Sequence, residues 1–129
     1  MKMVHRGEKG FTLIELLIVV AILGIIAAVV IPNVSGFMIT GRLAAANSEL
    51  EQVKTARLGY FGEYGVWPVD SSILVPTYIS GQLKAVYDID EESGWVIDII
   101  GQHEWGAGIM FEKGRSGPEG HDGRWVRGP

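Results

Sequence analysis

Residues 11–32 read FTLIELLIVVAILGIIAAVVIP, with a single charged side chain, Glu15, near the front. A helix of about 22 residues at about 1.5 Å per residue reaches roughly 33 Å, the thickness of a bilayer's hydrocarbon core. The segment is apolar all round and lacks the stripe of a surface helix, and a chain of 129 residues cannot readily wrap it on every side. A secretory signal peptide has an apolar core of about 7–15 residues ending at an A-x-A-like site. The uninterrupted run from Leu16 to Ile31 is longer, no such site follows, and we expect the segment to be retained. Lys2, Arg6 and Lys9 precede it and favour a cytoplasmic N-terminus, with the rest of the chain outside.

Glu15 is the anomaly, because an acidic residue at the centre of a span costs about 2.5–3.5 kcal/mol and less near its end. Two explanations stand side by side. Either the carboxylate reaches interfacial water, or it meets a cation in an assembly. The span offers no cation, since Thr12 is its only other polar side chain. Cutting after Gly10 would create one, the new amino group of Phe11, about one helical turn from Glu15.

The motif Gly10-Phe11-Thr12-Leu13-Ile14-Glu15, behind a short basic leader and ahead of an apolar run, resembles the type IV prepilin signature shared with type II secretion pseudopilins. The resemblance covers roughly residues 1–60. It implies cleavage between Gly10 and Phe11 by the prepilin peptidase, N-methylation of Phe11, and pairing of Glu15 with the terminal amine of an adjacent subunit. It also implies a homo-oligomeric helical filament raised on an inner-membrane assembly platform. The precursor is then a single-pass membrane protein with a cytoplasmic N-terminus. After assembly it forms an extracellular filament or an envelope-spanning pseudopilus. The signature does not separate the two: a pilus subunit is the preferred reading and a type II secretion pseudopilin the alternative. A single-pass protein that never polymerises is the third, opposed by Glu15 and the Gly10 junction.

Composition fits an exported subunit. There are 11 Lys+Arg against 15 Asp+Glu. Loss of residues 1–10 removes three cations and one carboxylate, leaving 8 against 14, a formal −6. An acidic body repels phosphates, so no nucleic-acid surface is indicated. There is no cysteine, although many pilins close the C-terminal region with a disulfide. The head must be held by packing, by a metal or by its neighbours.

We expect an α+β fold, a long N-terminal helix packed on a small antiparallel sheet, in four parts. These are a leader (1–10), a transmembrane and assembly helix (11–32), an amphipathic continuation (33–64) and a small β-rich head (65–129). Gly24 and Pro32 mark the expected helix break, as a bend or a partly unwound stretch. Leu43, Ala46, Leu50, Val53, Ala56, Tyr60 and Tyr64 form an apolar stripe, with Arg42, Glu49, Glu51, Gln52, Lys54 and Arg57 largely off it. Gly62, Gly65 and Pro68 end the helix. Residues 66–80 read as an irregular crossing loop. Strands are expected over 84–90 and 95–100, joined by the turn Asp90-Glu91-Glu92-Ser93-Gly94, with a third around Ile109. Residues 114–129 read as a Gly-rich polar tail anchored by Trp125.

Catalytic chemistry is not indicated, and we expect no enzyme. His103-Glu104 lacks the second histidine of a zinc-binding HExxH helix, and His121-Asp122 has no nucleophile at a useful spacing; both histidines read as solvated loop residues. No cofactor is expected. The tail around Ser116–Gly123 loosely resembles the calcium-holding loop of major pseudopilins. Calcium takes about six to eight oxygens, and Glu119 and Asp122 are the only evident donors. The aromatics Phe37, Tyr60, Phe61 and Tyr64 read as packing of helix against head.

Overall fold

A computed structural model describes residues 10–129. The basic leader residues Lys2, Arg6 and Lys9 lie outside the described residues. The order of elements is α1 (Leu13–Tyr64), a 3-10 turn (Ser71–Leu74), β1 (Val86–Ile89), β2 (Val96–Ile100), β3 (Ile109–Glu112) and β4 (Arg124–Arg127). This is the expected α+β arrangement, a long N-terminal helix followed by small antiparallel sheets. The chain divides into two compact units, Met1–Gly36 and Phe37–Pro129, and α1 contributes to both.

In the first unit α1 begins where sequence chemistry tells it to. Thr12 is the N-cap and Glu15 the third helical residue, the spacing of a capping box. The helix assignment runs through Gly24 and Pro32 without an unwound stretch. A proline removes one donor from the ladder but leaves the flanking turns theirs. Next to it the Asn33 side-chain amide donates to the carbonyl of Val29 at 3.2 Å.

In the second unit α1 lays one face on the head. Ala46, Leu50, Val53 and Ala56 are buried there with Leu74, Ile79, Ala85, Tyr87, Ile89, Val96, Trp105, Ile109 and Trp125. Each large apolar side chain so buried is worth about 1.5–3 kcal/mol. The stripe is broader than its apolar members. Glu49 and Arg57 were placed off it, yet both are buried, at 8% and 7% exposure. They stand one helical step from Val53 on either side, and their buried partners offset the cost of desolvation. The helix ends as expected of its glycines, with Gly65 at φ +72° donating to the carbonyl of Phe61 at 2.8 Å.

β1 and β2 form an antiparallel hairpin, with Tyr87 opposite Ile99 and a bulge between Asp88 and Ile89. The segment before β1 is not irregular throughout. Asp70 caps the 3-10 turn, accepting from the N–H of Ser72 at 2.7 Å, and bridges to Asp88. Buried Ser71 accepts from the N–H of Tyr87 at 2.9 Å. At the hairpin turn Gly94 has φ +76°, and a Cβ there would stand 2.3 Å from the Trp67 ring.

β3 and β4 form a second hairpin, Phe111 opposite Trp125. The polar tail therefore contains a strand. Trp125 is a core residue at 2% exposure whose alternation was hidden between arginines. The outer edge of β4 is taken up by α1: Asn47 donates its amide to the carbonyl of Trp125 at 3.2 Å and accepts from its N–H at 3.1 Å. The two hairpins are tied by Gly114 N–H to Ile97 carbonyl at 2.8 Å and Gly123 N–H to Val96 carbonyl at 2.6 Å.

Candidate functional site

The N-terminal segment has no covering within its own unit. Phe11 is 79% exposed, and every side chain from Phe11 to Ile31 is exposed. Residues 13–31 are helical and form the stretch of α1 apolar enough to cross a membrane. A soluble domain would not leave so much continuous apolar surface uncovered.

At its head stands the capping box. The N–H of Thr12 donates to Oε2 of Glu15 at 3.2 Å, and the N–H of Glu15 donates to the hydroxyl of Thr12 at 3.3 Å. Sequence reasoning weighed Glu15 only as a charge and missed this role, although Thr-x-x-Glu before an apolar run is a helix-start signature. The two roles are compatible. Glu15 is exposed, uses one oxygen on Thr12, and keeps lone pairs for a cation. Gly10 and Phe11 precede the helix and are exposed.

The head places its charged residues differently. Arg57 grips Asp122 through two hydrogen bonds of 2.5 and 3.0 Å and donates a third to the carbonyl of Gly94 at 2.5 Å. Asp122 also accepts from the N–H of Val96 at 2.8 Å, and the Trp95 ring lies 5.7 Å from the guanidinium. This clasp fastens the segment around residues 114–123 to α1 and to the hairpin turn. Asp122, one of the two carboxylates of this tail, is engaged by Arg57 and by the N–H of Val96. Glu119 is exposed, and among the described residues no group of three or more His, Cys, Asp or Glu side chains is arranged to hold a metal ion.

Glu49 makes the second anchor. Its carboxylate accepts from the Tyr87 hydroxyl at 3.0 Å and from the N–H of Lys84 at 2.8 Å, while Trp125 Nε1 donates to the same hydroxyl at 2.9 Å. Burial first of all, reinforced by the Glu49 charge, pushes the Tyr87 phenol well above its ordinary range. Beyond the core, the hydrogen bond to Glu63 lifts Tyr78 to about 12. The Lys113 ammonium beside Asp98 holds that carboxyl low and is itself raised. His103 is not a solvated residue: it is half-buried, edge-on to Trp125 with ring centres 4.8 Å apart. His121 is exposed.

Residues 5–31 match the prokaryotic N-terminal methylation motif. The chain is 39% identical over 90 residues to the type IV major pilin protein PilE of Neisseria gonorrhoeae, covering 69% of this chain and 54% of that one. It is 39% identical over 70 residues to the fimbrial protein EcpC of Eikenella corrodens, 54% of this chain and 46% of the other. The type IV major pilin protein PilA of Myxococcus xanthus matches at 47% over 56 residues, 43% and 26% of the two chains. The chain thus spans about half the length of the first two relatives. No solved structure matches.

Proposed function

We propose that this chain, whose N-terminal segment places it in the type IV pilin family, is the structural subunit of a type IV pilus-like filament, built from a membrane-anchored and processed precursor. One observation carries the reading. An apolar helix, exposed on all sides, starts at a carboxylate with lone pairs to spare, and the Gly-Phe junction five residues ahead supplies a cation once cut. In the membrane, lipid covers the helix. In the filament, other copies do, and each Glu15 is paired with the terminal amine of a neighbour. Gly24 and Pro32 then mark where the helix opens on assembly, since both lower its helix propensity.

The prepilin peptidase and an inner-membrane platform are the partners this route requires. The chain acts as a building block without catalysis of its own and without a cofactor. The pseudopilin alternative draws its support from the missing disulfide and from a calcium-type tail, and in that tail Asp122 is committed to Arg57.

Mass spectrometry of the mature protein tests the processing step. The expected chain begins at N-methylated Phe11, and Gly10→Leu leaves the precursor uncut because the peptidase subsite must admit a side chain where it had a hydrogen. A mature chain still starting at Met1 sinks the proposal. Filaments in the shear fraction that vanish on deletion, with enzyme secretion intact, separate pilus from pseudopilus.

A further inference from the structure

The head carries an aromatic, acidic pocket at one end and an unemployed arginine at the other. The pocket, about 380 Å³, is lined by Glu92, Ser93, Trp95, Gly117 and Pro118. The Trp95 ring is held in place, its Nε1 donating to the carbonyl of Gly117 at 3.1 Å and the Arg57 guanidinium lying 5.7 Å from its centre. Glu92, the carboxylate lining the pocket, is exposed and has no side-chain partner among the described residues. A fixed indole beside an unpaired carboxylate suits a cation, and a guanidinium above all, because it stacks flat and hydrogen-bonds at its edge.

The cations among the described residues sort themselves by elimination. Arg57 is buried in the clasp, Arg124 pairs with Glu112 at 2.5 Å, and Lys113 pairs with Asp98 at 2.5 Å. Lys54 holds Glu51 at 2.7 Å, Lys84 lies over Trp105 at 4.7 Å, and Arg42 donates to the carbonyl of Ala107 at 3.0 Å. Arg115 and Arg127 remain, exposed and without side-chain partners among the described residues. Arg115 belongs to the segment that forms the pocket's own wall. Arg127 pairs with Ile109 at the far end of the second hairpin, where Gly108 lies against Ile39. Along α1, Ile39 and the pocket-end residue Arg57 are about 27 Å apart at the helical rise.

We propose that the Trp95–Glu92 pocket receives Arg127 of a second copy of this chain. The proposal rests on the filament reading above. Knob and hole are different surfaces at opposite ends of one head, so the contact is heterologous and repeats without closing unless a ring forms.

The chain's lack of cysteine gives a clean test. A full-length chain carrying Glu92→Cys and Arg127→Cys is expressed with its assembly machinery. Its sheared filaments are treated with a flexible bismaleimide about as long as an arginine side chain. The expected result is a ladder of dimers, trimers and higher species, with no ladder from either single variant. Filaments that form normally and give no ladder, or a ladder from Glu92→Cys alone, overturn the inference and leave the filament reading intact. Absence of filaments from the unaltered chain overturns the filament reading instead. If the paired cysteines block assembly, charge reversal decides. Arg127→Glu and Glu92→Arg should each lower filament yield about tenfold, and the double variant should restore most of it. A double variant no better than either single one rejects the contact.

Discussion

Glu15 and Glu49 are carried by the same helix and meet opposite surroundings. Glu15 stands exposed at the start of an apolar stretch and has only Thr12 for company within its chain. Glu49 is buried, with Tyr87 and Lys84 committed to its two oxygens. The first carboxylate has capacity left over. The second is complete, and its satisfaction builds the head. The same contrast runs through the neighbouring side chains. In the first unit the apolar residues of α1 face outward on all sides, while in the second they line one face and share it with Glu49 and Arg57. One unit of the helix is made to be covered by something else, and the other already covers something.

The sharpest way to break this contrast is to remove Glu15. Glu15→Leu deletes a costly carboxylate, so membrane insertion should be as good or better, and processing should survive because the leader and the Gly10–Phe11 bond are untouched. Filament yield should fall to nothing. Each incoming terminal amine would be buried unpaired, at about 3–5 kcal/mol when one partner of a buried pair is missing, and the loss repeats at every subunit. Shear-fraction and membrane-fraction assays read the two effects separately. Normal filaments would show that Glu15 only caps its own helix.

Arg57→Met moves the test into the head. A soluble fragment from Phe37 onward should fold as a monomer; it must start that early because Ile39 and Arg42 reach the β3 end of the head. Arg57→Met in that fragment strands Asp122 and should cost about 3–5 kcal/mol in chemical denaturation. It should also open the Arg115 bond to trypsin. Loss of less than about 1 kcal/mol would mean that the clasp is ornamental.

The smallest expected effect concerns Tyr87. Its folded pKa lies above the unfolded value of about 10, so the stability it contributes is complete below that pH and declines as pH rises past it. The unfolded chain sheds the phenolic proton first and is favoured. A fragment carrying Tyr87→Phe should lose this alkaline slope. It should also be about 1–3 kcal/mol less stable at neutral pH, because Glu49 and Trp125 lose their shared partner. An unchanged slope would assign the alkaline loss to another group.

The sequence was most legible where one rule acted alone. The apolar run, the stop at Gly65 and the first hairpin follow from length, glycine and alternation, and the strands fall within a residue or two of expectation. It was least legible where a polar residue is buried with a partner far along the chain. Glu49 and Arg57 sit at core spacing, but their charges argued for solvent until Tyr87 and Asp122 were seen beside them. Trp125 was hidden in the same way, because Arg124 and Arg127 frame it with charge. The Thr12–Glu15 box was readable from four residues. It was overlooked because the cost of the carboxylate in hydrocarbon drew attention away from its backbone bond.

Asn47 closes the middle of the outer edge of β4. Its amide imitates a neighbouring strand, occupying both the donor and the acceptor of Trp125. Wherever copies of this chain crowd together, head stands beside head. Open edges in such a crowd would knit heads together by main-chain bonding, in no fixed order and beyond easy reversal. With that edge occupied by a single side chain, crowding favours the contacts the subunit is shaped for over the generic ones any unpaired strand would accept.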